Sequence, residues 1–121
     1  FGLVSNDGCT AVNQGNITYY IPSSLKKVTI TGNQGVGANA FINCSMIESI
    51  VYEGEIEKIG DYAFYNCEKL KSVTIKSTTI PILSEYAFNS DSSVVIYVPA
   101  DMLETYKADA QWSKLRIEAI Q

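Results

Sequence analysis

Residues 59–75 read Ile59-Gly60-Asp61-Tyr62-Ala63-Phe64-Tyr65-Asn66-Cys67-Glu68-Lys69-Leu70-Lys71-Ser72-Val73-Thr74-Ile75, and two different periods share that stretch. Its second part, Leu70-x-x-Val73-x-Ile75, ends in alternation with β-branched residues, which suits a short strand with its apolar side turned inward. Its first part spaces Ile59, Ala63, Phe64 and Cys67 as a helix would. Asp61 stands where it would cap one turn, although a helix of that length is marginal without packing. The expectation is one short strand followed, on the far side, by one short helical turn.

Working outward, the Ala-Phe pair at its centre recurs at Ala40-Phe41 and Ala87-Phe88, placing the phenylalanines 23 and 24 residues apart. The template Ile56, Ile59, Ala63, Phe64, Cys67, Leu70, Val73, Ile75 is matched upstream by Val36, Ala40, Phe41, Cys44, Ile47, Ile50 and Tyr52, failing at Asn33. Downstream it is matched by Ile80, Leu83, Ala87, Phe88 and Val94, after which the register slips by one residue into Ile96 and Val98. A half-copy survives as Leu25, Val28 and Ile30. Strands are expected at roughly 28–31, 50–53, 73–76 and 95–98. A unit this short cannot bury its own apolar face, so the copies must stack, with parallel strands about 4.8 Å apart and the three phenylalanines in one internal column.

The two ends differ. After Tyr97-Val98, Pro99 stops the strand and Asp101 is expected to cap a helix to about Asp109, with Leu103, Tyr106 and Ala110 on one face. Trp112 then supplies a large apolar body, and Leu115, Ile117, Ala119 and Ile120 suggest a last strand or extended tail closing the coil. Residues 1–20 are rich in Gly, Asn, Ser and Thr, match no template, and lead through Tyr19-Tyr20-Ile21-Pro22 into the half-copy. The expected organisation is one domain over 1–121, with an irregular N-terminal segment at 1–20, repeats at 21–99 and a C-terminal cap at 100–121. Phe1 is not a start methionine and no leader pattern follows it, so the chain is read as a fragment of a longer array with further repeats upstream.

Composition narrows the function classes. Of 121 residues, 46% are apolar, enough for one core, and the net charge is −4 with nine scattered basic residues. That pattern gives no footprint for nucleic acid or anionic lipid. No apolar run approaches the roughly 20 residues that cross a bilayer, so no membrane insertion is expected. Histidine is absent, which removes Ser-His-Asp and Cys-His catalysis and His-based zinc sites. The expectation is a chain that is not an enzyme, with no catalytic residues, no cofactor and no metal.

The stretch 59–75 resembles the BspA-type leucine-rich repeat, the likeness covering about 22–99 in three or so copies; the segment from Tyr97 through Trp112 also resembles the capping tail of such arrays. The resemblance implies a leucine-rich-repeat solenoid with short parallel β-strands on one side, short helical turns on the other and a C-terminal capping helix. It further implies an extracellular or cell-surface bacterial protein associated with adhesion, whose partner is a host or neighbouring-cell surface protein or a matrix component. The last copy departs from the pattern, replacing the Asn-Cys pair with Ser90-Asp91.

Several residues invite chemistry. Glu53, Glu55 and Glu57 alternate and could share a face, but acid–base work needs one carboxyl group in an apolar pocket, and a solvated rim is the plainer reading. Cys44 and Cys67 occupy the same phase of adjacent copies and are expected to pack side by side as free thiols; Cys9 leaves an odd count against a disulfide framework. Asn16-Ile17-Thr18 and Asn43-Cys44-Ser45 match the glycosylation pattern, which a bacterial source would not normally use. The outward strand positions Lys27, Thr29, Thr31, Ser49, Val51, Glu53, Ser72, Thr74 and Lys76 form one expected binding face, flat, mixed in charge and short of aromatic anchors. Tyr19, Tyr20, Tyr62, Tyr65 and Tyr86 offer a second patch on loops or turns. The functional expectation is a protein-recognition or adhesion module; a structural spacer projecting another domain is the alternative.

Overall fold

The computed structural model describes residues 9–14, 17–22, 24–31, 37–38, 40–89 and 92–120. Strands β3 (Lys27–Ile30), β4 (Ser49–Tyr52), β6 (Ser72–Ile75), β8 (Val95–Val98) and β9 (Arg116–Ala119) form one five-stranded sheet in that order. Every pairing is parallel, with Val28, Ile50, Val73, Ile96 and Ile117 in one row. The strands begin one residue earlier than expected, except the last repeat strand. Their period-2 pattern buries Ile50, Tyr52, Val73, Ile75, Ile96 and Val98, because alternate side chains of each strand fall on the inward face of the sheet.

Those turns carry the aromatic column. Phe41 and Phe64 stack with centroids 5.7 Å apart and planes 4° off parallel, and Phe64 and Phe88 stack at 4.9 Å and 18°. The segments holding them are not helices, which corrects the expected helical turn and its Asp61 cap. Tyr62 and Asn66 adopt φ of 59° and Asn43 of 62°, and this left-handed geometry breaks a right-handed helix every few residues. The backbone N–H groups therefore bond along the coil: Phe41 N donates to Ala63 O and Phe64 N to Ala87 O, both at 2.8 Å. Asp61 instead accepts a hydrogen bond from the Ser84 hydroxyl one copy on. Two short strands, β5 (Lys58–Ile59) and β7 (Ile82–Leu83), pair in parallel just before the turns.

The copies approach closely. A Cβ on Gly60 would lie 2.8 Å from Ala38 N, inside any allowed contact, so only glycine fits where the neighbouring backbone passes. Polar ladders tie the same junctions: Asn66 Nδ2 donates to Asn43 Oδ1 at 3.0 Å and Asn89 Nδ2 to Asn66 Oδ1 at 3.1 Å. Asparagine suits this position twice over, tolerating the left-handed backbone and offering a donor to one side and an acceptor to the other.

At the C-terminal end Pro99 does stop β8, but Asp101 lies inside a 3-10 turn, Ala100–Met102, ahead of α1 (Leu103–Ala108) and makes no capping bond. Of the expected helix face, Tyr106 is buried, Leu103 is half-buried and Ala110, beyond the helix end, is exposed. Past the end of α1, Asp109 holds the turn that follows, its Oδ1 accepting from Gln111 N at 2.8 Å and Trp112 N at 3.1 Å. Trp112 is fully buried, packs edge-on against Tyr106 and donates its indole N–H to Pro81 O at 2.8 Å. The chain then returns as β9, parallel to β8, and so extends the sheet by a fifth strand.

The loop-rich start expected over 1–20 is, in its described part, an antiparallel hairpin of β1 (Cys9–Gln14) and β2 (Ile17–Pro22). Register pairs Gln14 with Ile17, so only Gly15-Asn16 separates the strands in sequence, a dipeptide that signals a tight hairpin. Asn16, Val36, Ser90 and Asp91, with residues 1–8, lie outside the described residues.

Candidate functional site

Two surfaces stand out, one on each side of the aromatic column. The first is the outward face of the five-stranded sheet, where the register brings the sequence-derived positions into rows. One row runs Lys27, Ser49, Ser72, Val95, Arg116 and the next runs Thr29, Val51, Thr74, Tyr97, Glu118. Thr31, Glu53 and Lys76 follow their strands directly, with Glu53 N bonded to Ile30 O and Lys76 N to Tyr52 O continuing the ladder. Lys27, Thr29, Thr31, Glu53 and Lys76 are exposed, whereas Ser49, Val51, Ser72 and Thr74 are half-buried between neighbouring strands.

The positions expected from sequence carry no aromatic side chain, but β8 adds one to the same face. Tyr97 sits in the Thr74 row beside Val95, both half-exposed, and these residues were missed because the expected face stopped at Lys76. The period-2 pattern of β8 was signal enough to find them. Arg116 and Glu118 add a salt bridge at 3.3 Å to the same face. At the strand entrances Glu48 lies 4.0 Å from Lys26 and 3.8 Å from Lys71, an exposed ladder of charge that contributes little to stability.

The second surface belongs to the turns. Tyr62 stacks on Tyr86 at 6.0 Å and 14° and meets Tyr65 edge-on at 5.2 Å, while Tyr62 and Tyr86 remain 40% and 53% exposed. The side chains of Tyr19 and Tyr20 lie outside the described structure.

The glutamate series separates into different roles. Glu53 and Glu57 are exposed, whereas Glu55 reaches into the next copy and is saturated with donors. Thr78 N bonds both of its oxygens at 3.0 and 3.1 Å, Thr78 Oγ1 donates at 2.9 Å, and Ser77 Oγ lies 2.8 Å from Oε2. The Thr78 backbone bond first, then the Ser77 and Thr78 hydroxyls, hold the Glu55 carboxyl below the usual carboxylate range. A carboxylate held ionised in this way does the opposite of what a general acid requires; it ties adjacent copies together.

Cys44 is fully buried and Cys67 half-buried, both with free thiols, and Cys67 Sγ bonds Phe41 O at 3.1 Å. Burial pushes Cys44 up to about 11, and burial followed by the neighbouring Cys44 pushes Cys67 up to about 12, so neither is a ready nucleophile. Among the described residues no three His, Cys, Asp or Glu side chains gather to hold a metal ion. Among them, too, no helix is long and apolar enough to cross a membrane.

Comparison with known families finds the model of the BspA type leucine rich repeat region over residues 14–120, in 6 copies. The match runs beyond the three or so copies over 22–99 read from sequence. No curated protein and no solved structure matches the chain.

Proposed function

We propose, for a chain that belongs to the BspA-type leucine-rich repeat family, a role as a non-enzymatic extracellular recognition or adhesion module that contacts its partner through the outward face of the sheet. Repeats of this family are generally interaction scaffolds on surface or secreted proteins. The parallel five-stranded sheet with few helices fits a solenoid. The observation that carries the reading is the register itself: Thr29, Val51, Thr74 and Tyr97 stand side by side on four strands, a continuous surface with an aromatic side chain at its centre-to-C-terminal part. The partner is a host or neighbouring-cell surface protein or matrix component, in keeping with a bacterial adhesin. In the same reading α1 and Trp112 cap the coil.

Binding of the chain to immobilised matrix proteins and to cell surfaces tests this. Replacing Thr29, Val51 and Thr74 together by Asp places three like charges in one row and should weaken binding by at least about tenfold, roughly 1.4 kcal/mol. Tyr97→Ala should do the same alone. Binding unchanged by both variants refutes the strand-face reading, and no binding at all by the unaltered chain leaves the spacer alternative.

A further inference from the structure

A groove of about 420 Å³ lies between the last aromatic turn and the C-terminal segment, lined by none of the residues of the five-stranded sheet. That volume falls within the roughly 300–1,000 Å³ range of small-molecule sites. Its floor is Tyr86. One face of that ring lies on Tyr62, yet the ring is 53% exposed, and Tyr86 lines the groove while Tyr62 does not. The ring is thus accessible beside the groove, which leaves room for a further flat group to lie against it.

The rim decides what that group is. Glu85 and Lys114 bring one charge of each sign, and Asn89 and Gln111 bring amides. Among the described residues Glu85 makes no hydrogen bond or ion pair within the protein, and the Gln111 amide N–H₂ donates none; its oxygen accepts only from Lys114 Nζ, at 3.4 Å. An apolar side chain seated on Tyr86 would strip water from these donors and acceptors without replacing it. An anion would meet Glu85, and a cation would meet Lys114. A neutral pyranose satisfies both demands, with a flat C–H face for the tyrosine and a ring of hydroxyls that both donate and accept for the rim.

We infer that this groove is a saccharide-binding site, in which Tyr86 stacks on the apolar face of a neutral pyranose while Glu85, Gln111 and Lys114 bond its hydroxyls. The site is separate from the sheet face.

Titration of the ¹⁵N-labelled chain with lactose, cellotriose, maltotriose and chitotriose, followed by amide chemical shifts, tests it. At least one saccharide should give saturable shifts at Tyr86, Asn89, Gln111 and Lys114 and none at Thr29, Val51 or Thr74. Tyr86→Ala should weaken that binding by about tenfold, Tyr86→Phe should preserve it, and Glu85→Ala and Gln111→Ala, both at the rim, should weaken it several-fold with an unchanged thermal midpoint. Absence of saturable shifts with all four saccharides overturns the inference. So does tighter binding of N-acetyltyrosinamide in the groove, which would give the site to an aromatic side chain of a protein partner. The strand-face variants move neither result.

Discussion

Replacing Phe64 by Ala should be among the most damaging single changes to this chain, and the pattern of its coupling should reveal the architecture. Phe64 is 2% exposed, stacked on Phe41 at 5.7 Å and on Phe88 at 4.9 Å, with Tyr52 edge-on at 6.4 Å. Truncating a buried Phe costs about 3–5 kcal/mol, a large share of the roughly 5–15 kcal/mol that hold a domain together. With a urea slope near 2 kcal/mol/M, the midpoint should fall by about 2 M. Double-mutant cycles using Phe→Leu then separate stacking from general burial. The pairs Phe41/Phe64 and Phe64/Phe88 should couple by about 0.5–1.5 kcal/mol, whereas Phe41/Phe88, on opposite sides of the middle ring, should be additive within about 0.5 kcal/mol. That is nearest-neighbour energetics, as a stacked coil requires. A cost below about 1 kcal/mol for Phe64→Ala, or coupling of the outer pair equal to that of the neighbours, would refute the reasoning.

Two further predictions concern titrating groups. The folded pKa of Glu55 is depressed, so its contribution to stability is present above the ordinary carboxylate value of about 4.3 and is lost as pH falls through the folded value. Glu55→Gln should therefore flatten the acid limb of stability against pH, measured as urea midpoints; superimposable acid limbs for variant and parent would rule out the inter-copy clamp. The thiols run the other way. Raised to about 11 and about 12, Cys44 and Cys67 contribute stability that is complete below the unfolded value of about 8.5 and lost as pH rises through the folded ones. In a Cys9→Ser background both should resist a disulfide reagent at pH 8 while folded and react fully once unfolded without reductant; rapid labelling of the native chain, or absence of free thiol after unfolding, would contradict the packing described.

The strands and the phenylalanine column were legible because burial imposes the same inward pattern on each copy: Ile50 and Val73 share one row and one sequence phase, and Ile96 joins that row after the one-residue slip. The turns were misread because Ile59, Ala63, Phe64 and Cys67 are spaced like a helix face, while the backbone that carries them is set by left-handed residues and bonds to the neighbouring copy. Periodicity reports which side chains are inward and not which carbonyl an N–H finds. Asn43 and Asn66 were the available signal, since asparagine is the non-glycine residue most at ease in that geometry. Tyr52 was placed correctly in an Ile phase, but its hydroxyl is buried without a hydrogen-bond partner among the described residues, a cost that spacing alone does not register.

Function was harder to read for a reason that follows from the same energetics. Stability in a stacked coil comes from inward positions and from ladders such as Asn43–Asn66–Asn89, so outward positions are left without a structural task. Where nothing else constrains a position, strand propensity favours Thr, as at Thr29 and Thr74, and solvent exposure favours small polar residues such as Ser72. Recognition is then best sought at outward residues that depart from that background. Tyr97 does so on the sheet, since a large, amphipathic ring is held half-exposed where its row otherwise carries Thr, Val and Glu. Tyr86 does so on the turns, more than half exposed beside a groove that Glu85, Gln111 and Lys114 also line. An exposed tyrosine gains little for the core, and Tyr97 lies on the sheet whereas Tyr86 lines a groove that no residue of that sheet touches, so the strand-face and groove proposals stand or fall separately.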